Sequence, residues 1–254
     1  MLDHDDQAGL VQKYSNSPAV DVSNIEPVDL VWRDGPLSSV LHNRQFTAIV
    51  AAHVVEHAPD FIQFLNDLAT AMEHDGRLYL IVPDKRYSFD YFQTVTDPAK
   101  VLSDHLQRRT RHSFMSFYRW GTNVSHRGRS DWSQRTIDDV AFMHPDPREN
   151  YRNALAITGS GHYVDSHENY FTPVSFLMMI EELHYLAKIQ LKVRLLTRSR
   201  GCEFLAVLSK RKPAMTVEEF INLKRKLLAL RIAEDFEAIA FAEWRYHPNA
   251  NVQL

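Results

Sequence analysis

The stretch His53-Val54-Val55-Glu56-His57 sets two imidazoles around one carboxylate within five residues. Such a group can hold a transition metal through nitrogen and oxygen. It can also pass a proton, because histidine is the side chain whose ordinary pKa lies near neutrality. A further histidine, His167, lies in His162-Tyr163-Val164-Asp165-Ser166-His167-Glu168-Asn169-Tyr170. His53, His57 and His167 are therefore the candidates for proton transfer, each weighed against a histidine simply hydrogen-bonded in place.

What these residues can do depends on the elements that hold them. Phe46 to Ala52 is a continuous apolar run of strand length, which suits a strand covered on both faces. Pro59-Asp60 opens a helix with Phe61, Phe64, Leu65, Leu68 and Met72 at helical spacing, closed by Asp75-Gly76. Arg77 to Val82 reads as the next strand, ended by Pro83. Strand, helix and strand make a βαβ unit and hence a parallel sheet. The histidine stretch then falls at the carboxyl end of a strand, where open parallel sheets bind ligands. It also spells His-x-x-Glu-His, the inverted zinc-peptidase pattern, but that chemistry needs the residues on one helix face. A segment that straddles a strand end and stops at Pro59 reads instead as a pocket wall.

Composition limits the rest. The 254 residues are 44% apolar and 24% charged, with 29 basic against 32 acidic side chains and a net charge of −3. The chain is long enough for a sizeable core, and no global field draws in nucleic acid or an anionic membrane. The single cysteine, Cys202, excludes an internal disulfide and points to a reducing, cytoplasmic setting. No apolar run reaches the ~20 residues of a transmembrane helix, and Met1-Leu2-Asp3-His4-Asp5-Asp6 is too acidic to begin a signal peptide.

Further elements are a short helix from Asp6 to Tyr14, a strand from Val28 to Trp32, a helix from Thr172-Pro173 through Leu183, and strands at Leu191 to Leu196 and Phe204 to Leu208. This gives an α/β domain over 1–209 with an insertion at about 97–165, followed by a helical extension at 214–247. The insertion holds Arg108, Arg109, Arg111, Arg119 and Arg129 among aromatics, and reads as a lid for an anionic or sugar ligand or as a solvated connection. The long carboxyl-terminal helix, Val217 to Trp244, carries a stripe of Phe220, Leu223, Leu227 and Leu230. That stripe covers the domain or joins two subunits as a homodimer; covering the domain is the simpler expectation.

At this point the residues resemble a family. Phe46-x-Ala-Ile-Val-x-x-His-Val-Val-Glu-His-x-Pro-Asp60, with the helix after it and Asp75-Gly-Arg-Leu-Tyr-Leu-Ile-Val-Pro-Asp84, is similar to the fourth strand, helix and fifth strand of class I S-adenosylmethionine-dependent methyltransferases, nearest the type-11 group. Pro83 to Asp90 and His162 to Pro173 resemble a bacterial branch found with glycan-building enzymes. The likeness implies a Rossmann-like sheet, S-adenosylmethionine as cofactor, and a small-molecule or glycan acceptor, with no nucleic acid and no membrane. It implies cofactor contacts at Asp3, Asp34, Gly35, Ala52 and His53, and acceptor contacts at Arg86, Tyr87 and Tyr170. Catalysis falls to His57 and His167 if the acceptor must lose a proton. In the related ubiquinone-pathway enzymes a Glu-x-x-Glu-His motif binds a divalent ion here; with His53 in place of the first glutamate the set would favour zinc or another transition metal over magnesium, but neighbouring ligands from one segment need outside partners that the sequence does not reveal, so no metal is expected.

The sequence departs from that family at its start. The glycine-rich loop after the first strand is absent, although that strand lies at the centre of the family's sheet, between the second and the fourth. Removing it exposes backbone groups on two neighbours. Three outcomes are open: the sequence begins at an internal methionine, the remaining strands re-pair, or a partner chain supplies the strand. The alternative function is a non-catalytic binding module on the same fold with an impaired cofactor site.

Overall fold

The computed structural model describes residues 1–17, 20–32, 37–41, 43–127, 131–132 and 140–244, with side chains of the last helix described as far as Glu234. Its centre is a four-stranded sheet in the order β3, β4, β8, β7, comprising β3 (Phe46–Ala52), β4 (Met72–Pro83), β7 (Leu191–Leu196) and β8 (Glu203–Lys210). β3 and β4 run parallel, while β8 is antiparallel to both β4 and β7. The fold is mixed α/β.

The βαβ unit forms as expected. Helix α3 (Phe61–Ala71) starts at Asp60, whose side chain accepts from the Gln63 backbone N–H. That carboxylate also meets His105 Nδ1 at 3.0 Å, so Asp60→Ala removes a helix cap and a hydrogen-bond partner of His105 together. Such a loss lowers stability by about 1–2 kcal/mol, read as a shift in the urea midpoint at unchanged slope. β4 begins at Met72 rather than Arg77. Phe46 pairs with Met72 and Ala48 with Arg77, so the residues around Asp75-Gly76 bulge from the ladder. A Cβ on Gly76 would meet the Phe46 carbonyl oxygen at 3.0 Å, which explains glycine at the bulge.

One face of the sheet is sealed. Leu78, Leu80 and Val82 lie opposite Leu208, Ala206 and Phe204, and all six are buried in the core with Phe61, Leu65 and Leu68 of α3. Phe176, Met179, Ile180 and Leu183 of α7 (Pro173–Tyr185) complete that layer. The expectation that β3 is covered on both faces is corrected. Ile49 and Ala51 pack toward the core, whereas Val50 on the other face is 67% exposed.

The amino-terminal strands stand apart. β1 (Leu2–Asp3) and β2 (Leu30–Val31) pair in parallel as a separate two-stranded sheet. Among the described residues neither strand of this pair joins the β3–β4–β8–β7 sheet, so β1 and β3 have not paired with each other. β2 is also shorter than the expected Val28 to Trp32.

The intervening helices are α1 (Gln7–Tyr14), α2 (Ser38–Leu41), α4 (Pro98–Leu106), α5 (Phe114–Asn123) and α6 (Pro147–Gly159). A small antiparallel pair, β5 (Ser125–His126) with β6 (Ala141–Phe142), joins α5 to α6. The described part of the insertion contains three helices, and several of its arginines are engaged by groups of the chain itself. Arg109 pairs with Asp104, Arg111 donates to the Gly161 carbonyl, and Arg119 donates to Thr94. Arg129 lies outside the described residues. Helix α8 (Val217–Trp244) packs on α7 through Leu227, a stacked Tyr185–Phe220 pair 4.0 Å apart and Lys224 on Glu182. Glu234 accepts from Thr172 Oγ1 at 2.6 Å and from the Val174 N–H at 3.3 Å, setting a carboxylate on the amino-terminal end of α7. No helix among the described residues is long and apolar enough to cross a membrane.

Candidate functional site

β3 hands its chain over sharply. His53 adopts φ +52°, a left-handed conformation uncommon outside glycine, while its N–H still donates to the Ile81 carbonyl of β4. The chain then enters a short 3-10 turn, Val55–His57. That turn is fastened to a distant segment: the N–H groups of Glu168 and Asn169 donate to the Glu56 carbonyl at 2.8 and 2.9 Å, and Asn169 Nδ2 donates to the Ala58 carbonyl at 3.0 Å. His167 is thereby set beside Glu56 and His57. From the end of the neighbouring strand β4, the chain brings Asp90 to the same place. Two adjacent parallel strand ends thus build one cluster.

Within it, His167 Nδ1 meets Asp90 Oδ2 at 2.6 Å and His57 Nδ1 meets Asp165 Oδ1 at 3.0 Å. A carboxylate on Nδ1 assigns the proton to that nitrogen and leaves Nε2 as the free ligand atom. His57 Nε2 lies 3.8 Å from Glu56 Oε1, and the two imidazole rings stand edge to face at 4.5 Å. Glu56 is 1% exposed, and neither of its oxygens has a hydrogen-bond partner among the described residues. Burial raises its pKa against the opposing pull of His167, His57 and His53. For His167 burial acts downward, yet Asp90 and Glu56 outweigh it and the pKa rises. Asp165 is held well below the carboxylate range, burial being overcome by hydrogen bonds from His112 and His57.

A second, fully paired group supports the first. Glu168 receives Lys100 Nζ at 2.5 Å, His112 Nδ1 at 3.0 Å and the Ser116 hydroxyl, with Lys100 also reaching Asp104 at 2.6 Å. Burial would raise the Glu168 pKa; these partners bring it down to about 2.

The structure brings His57 and His167 together and adds Asp90 and Asp165, which sequence reasoning did not assign. Both aspartates lie in the stretches singled out, but pairings across 77 and 108 residues leave no sequence signal. His53 is adjacent, with Nδ1 3.8 Å from Glu56 Oε1 and Nε2 2.7 Å from Glu203 Oε2. Ala52 and His53 are exposed at the strand end. Asp3 belongs to the separate β1–β2 pair, and its carboxylate is bonded to the His4 ring at 2.6 Å. Asp34 and Gly35 lie outside the described residues. Arg86 is buried with Nη2 2.6 Å from Asp84 Oδ2 and 3.6 Å from Glu234, so its charge is met within the fold. Tyr87 lies with its ring beneath that guanidinium, 5.6 Å away. Tyr170 is buried and donates to the His167 carbonyl at 2.9 Å, bracing the histidine from behind.

No family model matches the chain, and no curated protein matches it. A chain from "The structure of LepI complex with SAM" is similar in structure, with a TM-score of 0.31 and 11% identity. The similarity covers 83% of this chain and 42% of that one, so the chain spans less than half its length.

Proposed function

We propose that this chain is an S-adenosylmethionine-dependent methyltransferase that acts on a hydroxyl of a small or glycan-type acceptor held beside Glu56, His57 and His167. The observation that carries the reading is the convergence of two carboxylate-anchored histidines at the carboxyl ends of parallel β3 and β4, the ligand-binding position of such a sheet. The motif likeness in the sequence and the parallel β3–α3–β4 unit support the same reading.

The acceptor side is built; the cofactor side is half assembled. Ala52 and His53 stand exposed at the end of β3 and fit a cofactor-facing wall. Asp3 does not join them, its strand lying outside the main sheet and its carboxylate engaged by His4. The cofactor, when bound, supplies an already activated methyl group. The chain's own residues orient the acceptor. His57, fixed by Asp165 and partly exposed, presents Nε2 to an acceptor hydroxyl and takes its proton; Asp90 fixes His167 opposite.

Titration calorimetry of the full chain with S-adenosylmethionine tests the assignment: micromolar binding is expected of the enzyme. Millimolar binding or none favours the second reading, a non-catalytic module on the same fold, for which the separation of the β1–β2 pair from the main sheet speaks.

A further inference from the structure

We infer that Glu56, His57 and His167 form a binding site for a divalent transition metal of the zinc type. The first reason is electrostatic. A carboxylate that is 1% exposed and has no hydrogen-bond partner on either oxygen, among the described residues, is costly to bury unless a positive group meets it. The second is the state of the two histidines. Each has its Nδ1 tied to a carboxylate, Asp165 for His57 and Asp90 for His167, leaving Nε2 to ligate. This is the outer-sphere arrangement that fixes the tautomer and ring direction of metal-bound histidine and raises its basicity.

Geometry agrees. The ligand atoms of the three residues lie within 4.8 Å of one another, on segments stapled together through the Glu56 carbonyl. Donors at about 2.1 Å from a tetrahedral ion lie roughly 3.4 Å apart, so modest side-chain rotation closes the set. Two nitrogens and one oxygen suit zinc, with a fourth position left open, and do not suit magnesium, which takes oxygen ligands. His53 is the weaker candidate ligand because Glu203 holds its Nε2 and its side chain is 44% exposed. The donor set therefore differs from the run His53-Glu56-His57 that the sequence offers: the third ligand comes from His167, on another segment.

The metal site does not depend on the methyl-transfer reading, which bears only on what fills the open position. An ion on Nε2 of His57 and a proton on the same atom exclude each other, so the metal and the simple base are distinguishable. Chelator-stripped full-length protein is titrated with zinc in a calorimeter, and with cobalt followed by visible absorption. Tight one-to-one zinc binding and a tetrahedral cobalt spectrum are expected. Glu56→Gln and His57→Ala should each weaken binding about 100-fold or more, and Asp90→Asn about 10–100-fold. His74→Ala, at an exposed position, should change nothing. Circular dichroism checks each variant; should Glu56→Gln fail to fold, the partly exposed His57 variant decides. Absence of saturable binding, or affinity unchanged in the His57 variant, overturns the site. Neither readout uses cofactor or acceptor, so a failed metal titration leaves the methyltransferase reading standing, and absent cofactor binding leaves the metal site standing.

Discussion

Glu168→Ala lowers the free energy of unfolding by about 3–5 kcal/mol, measured by urea denaturation at neutral pH. Glu168 is almost wholly buried and is the common acceptor of Lys100, His112 and Ser116. Lys100 retains Asp104, but His112 loses the partner of its Nδ1 inside a packed region, keeping at Nε2 only the Tyr163 hydroxyl at 3.4 Å and Asp165 at 3.8 Å. The penalty is mostly that of stranding buried donors rather than of losing one attraction. Its pH dependence has a definite sign. The folded carboxyl sits at about 2 against an ordinary value of 4.5, so the group's contribution is complete above pH 4.5 and is lost as pH falls through 2. Wild type should lose on the order of 3 kcal/mol over that window from this group, and Glu168→Ala should lack that component. An alanine variant as stable as wild type would show that the segment 167–169 is held by its backbone bonds to Glu56 and by the side-chain bonds of Asn169 and His167, without the Glu168 carboxylate.

On the proposed methyl-transfer reading, His57→Ala should reduce transfer to a hydroxyl acceptor by about 10²–10⁴-fold, followed as methylated product by mass spectrometry. The substitution removes Nε2, the atom that either takes the proton or holds the ion, and both routes pass through it. The side chain is partly exposed, so folding is spared, and S-adenosylmethionine affinity should stay within about twofold because His57 faces the acceptor side. Loss confined to turnover, with cofactor binding intact, separates this role from general damage. A change below tenfold would remove His57 from the chemistry and leave His167 with Asp90.

How much of this was legible in the sequence depends on the range of the interaction that fixes each feature. Phe46–Ala52 and Leu191–Leu196 fall where local apolar runs place them, and α3 starts at Asp60 because a cap acts over three residues. β3 was misjudged because an apolar run records what a strand could bury and not whether a neighbour exists to cover it; Val50 is the result. The early start of β4 reflects a bulge set by pairing with Phe46, which no pattern within residues 72–77 announces. The insertion lacked clear periodicity because its helices are short and held by caps at Asp97 and Ser113 and by aromatic contacts such as Phe114 with Tyr118. At the site, residue types singled out His57 and His167, but their orienting aspartates are chosen by tertiary approach. The same holds for Arg86, which the family likeness placed on the acceptor: its pairing with Asp84 is set by the fold.

The free side of β3 has a practical meaning for anyone handling the molecule. Among the described residues, its amide and carbonyl groups along Thr47 to Ala52 have a ladder partner only in β4, beside an exposed Val50. A bare margin of that kind templates sheet growth, so crowded solutions will drive copies together there first, and a single lysine at position 50 is the economical guard against it.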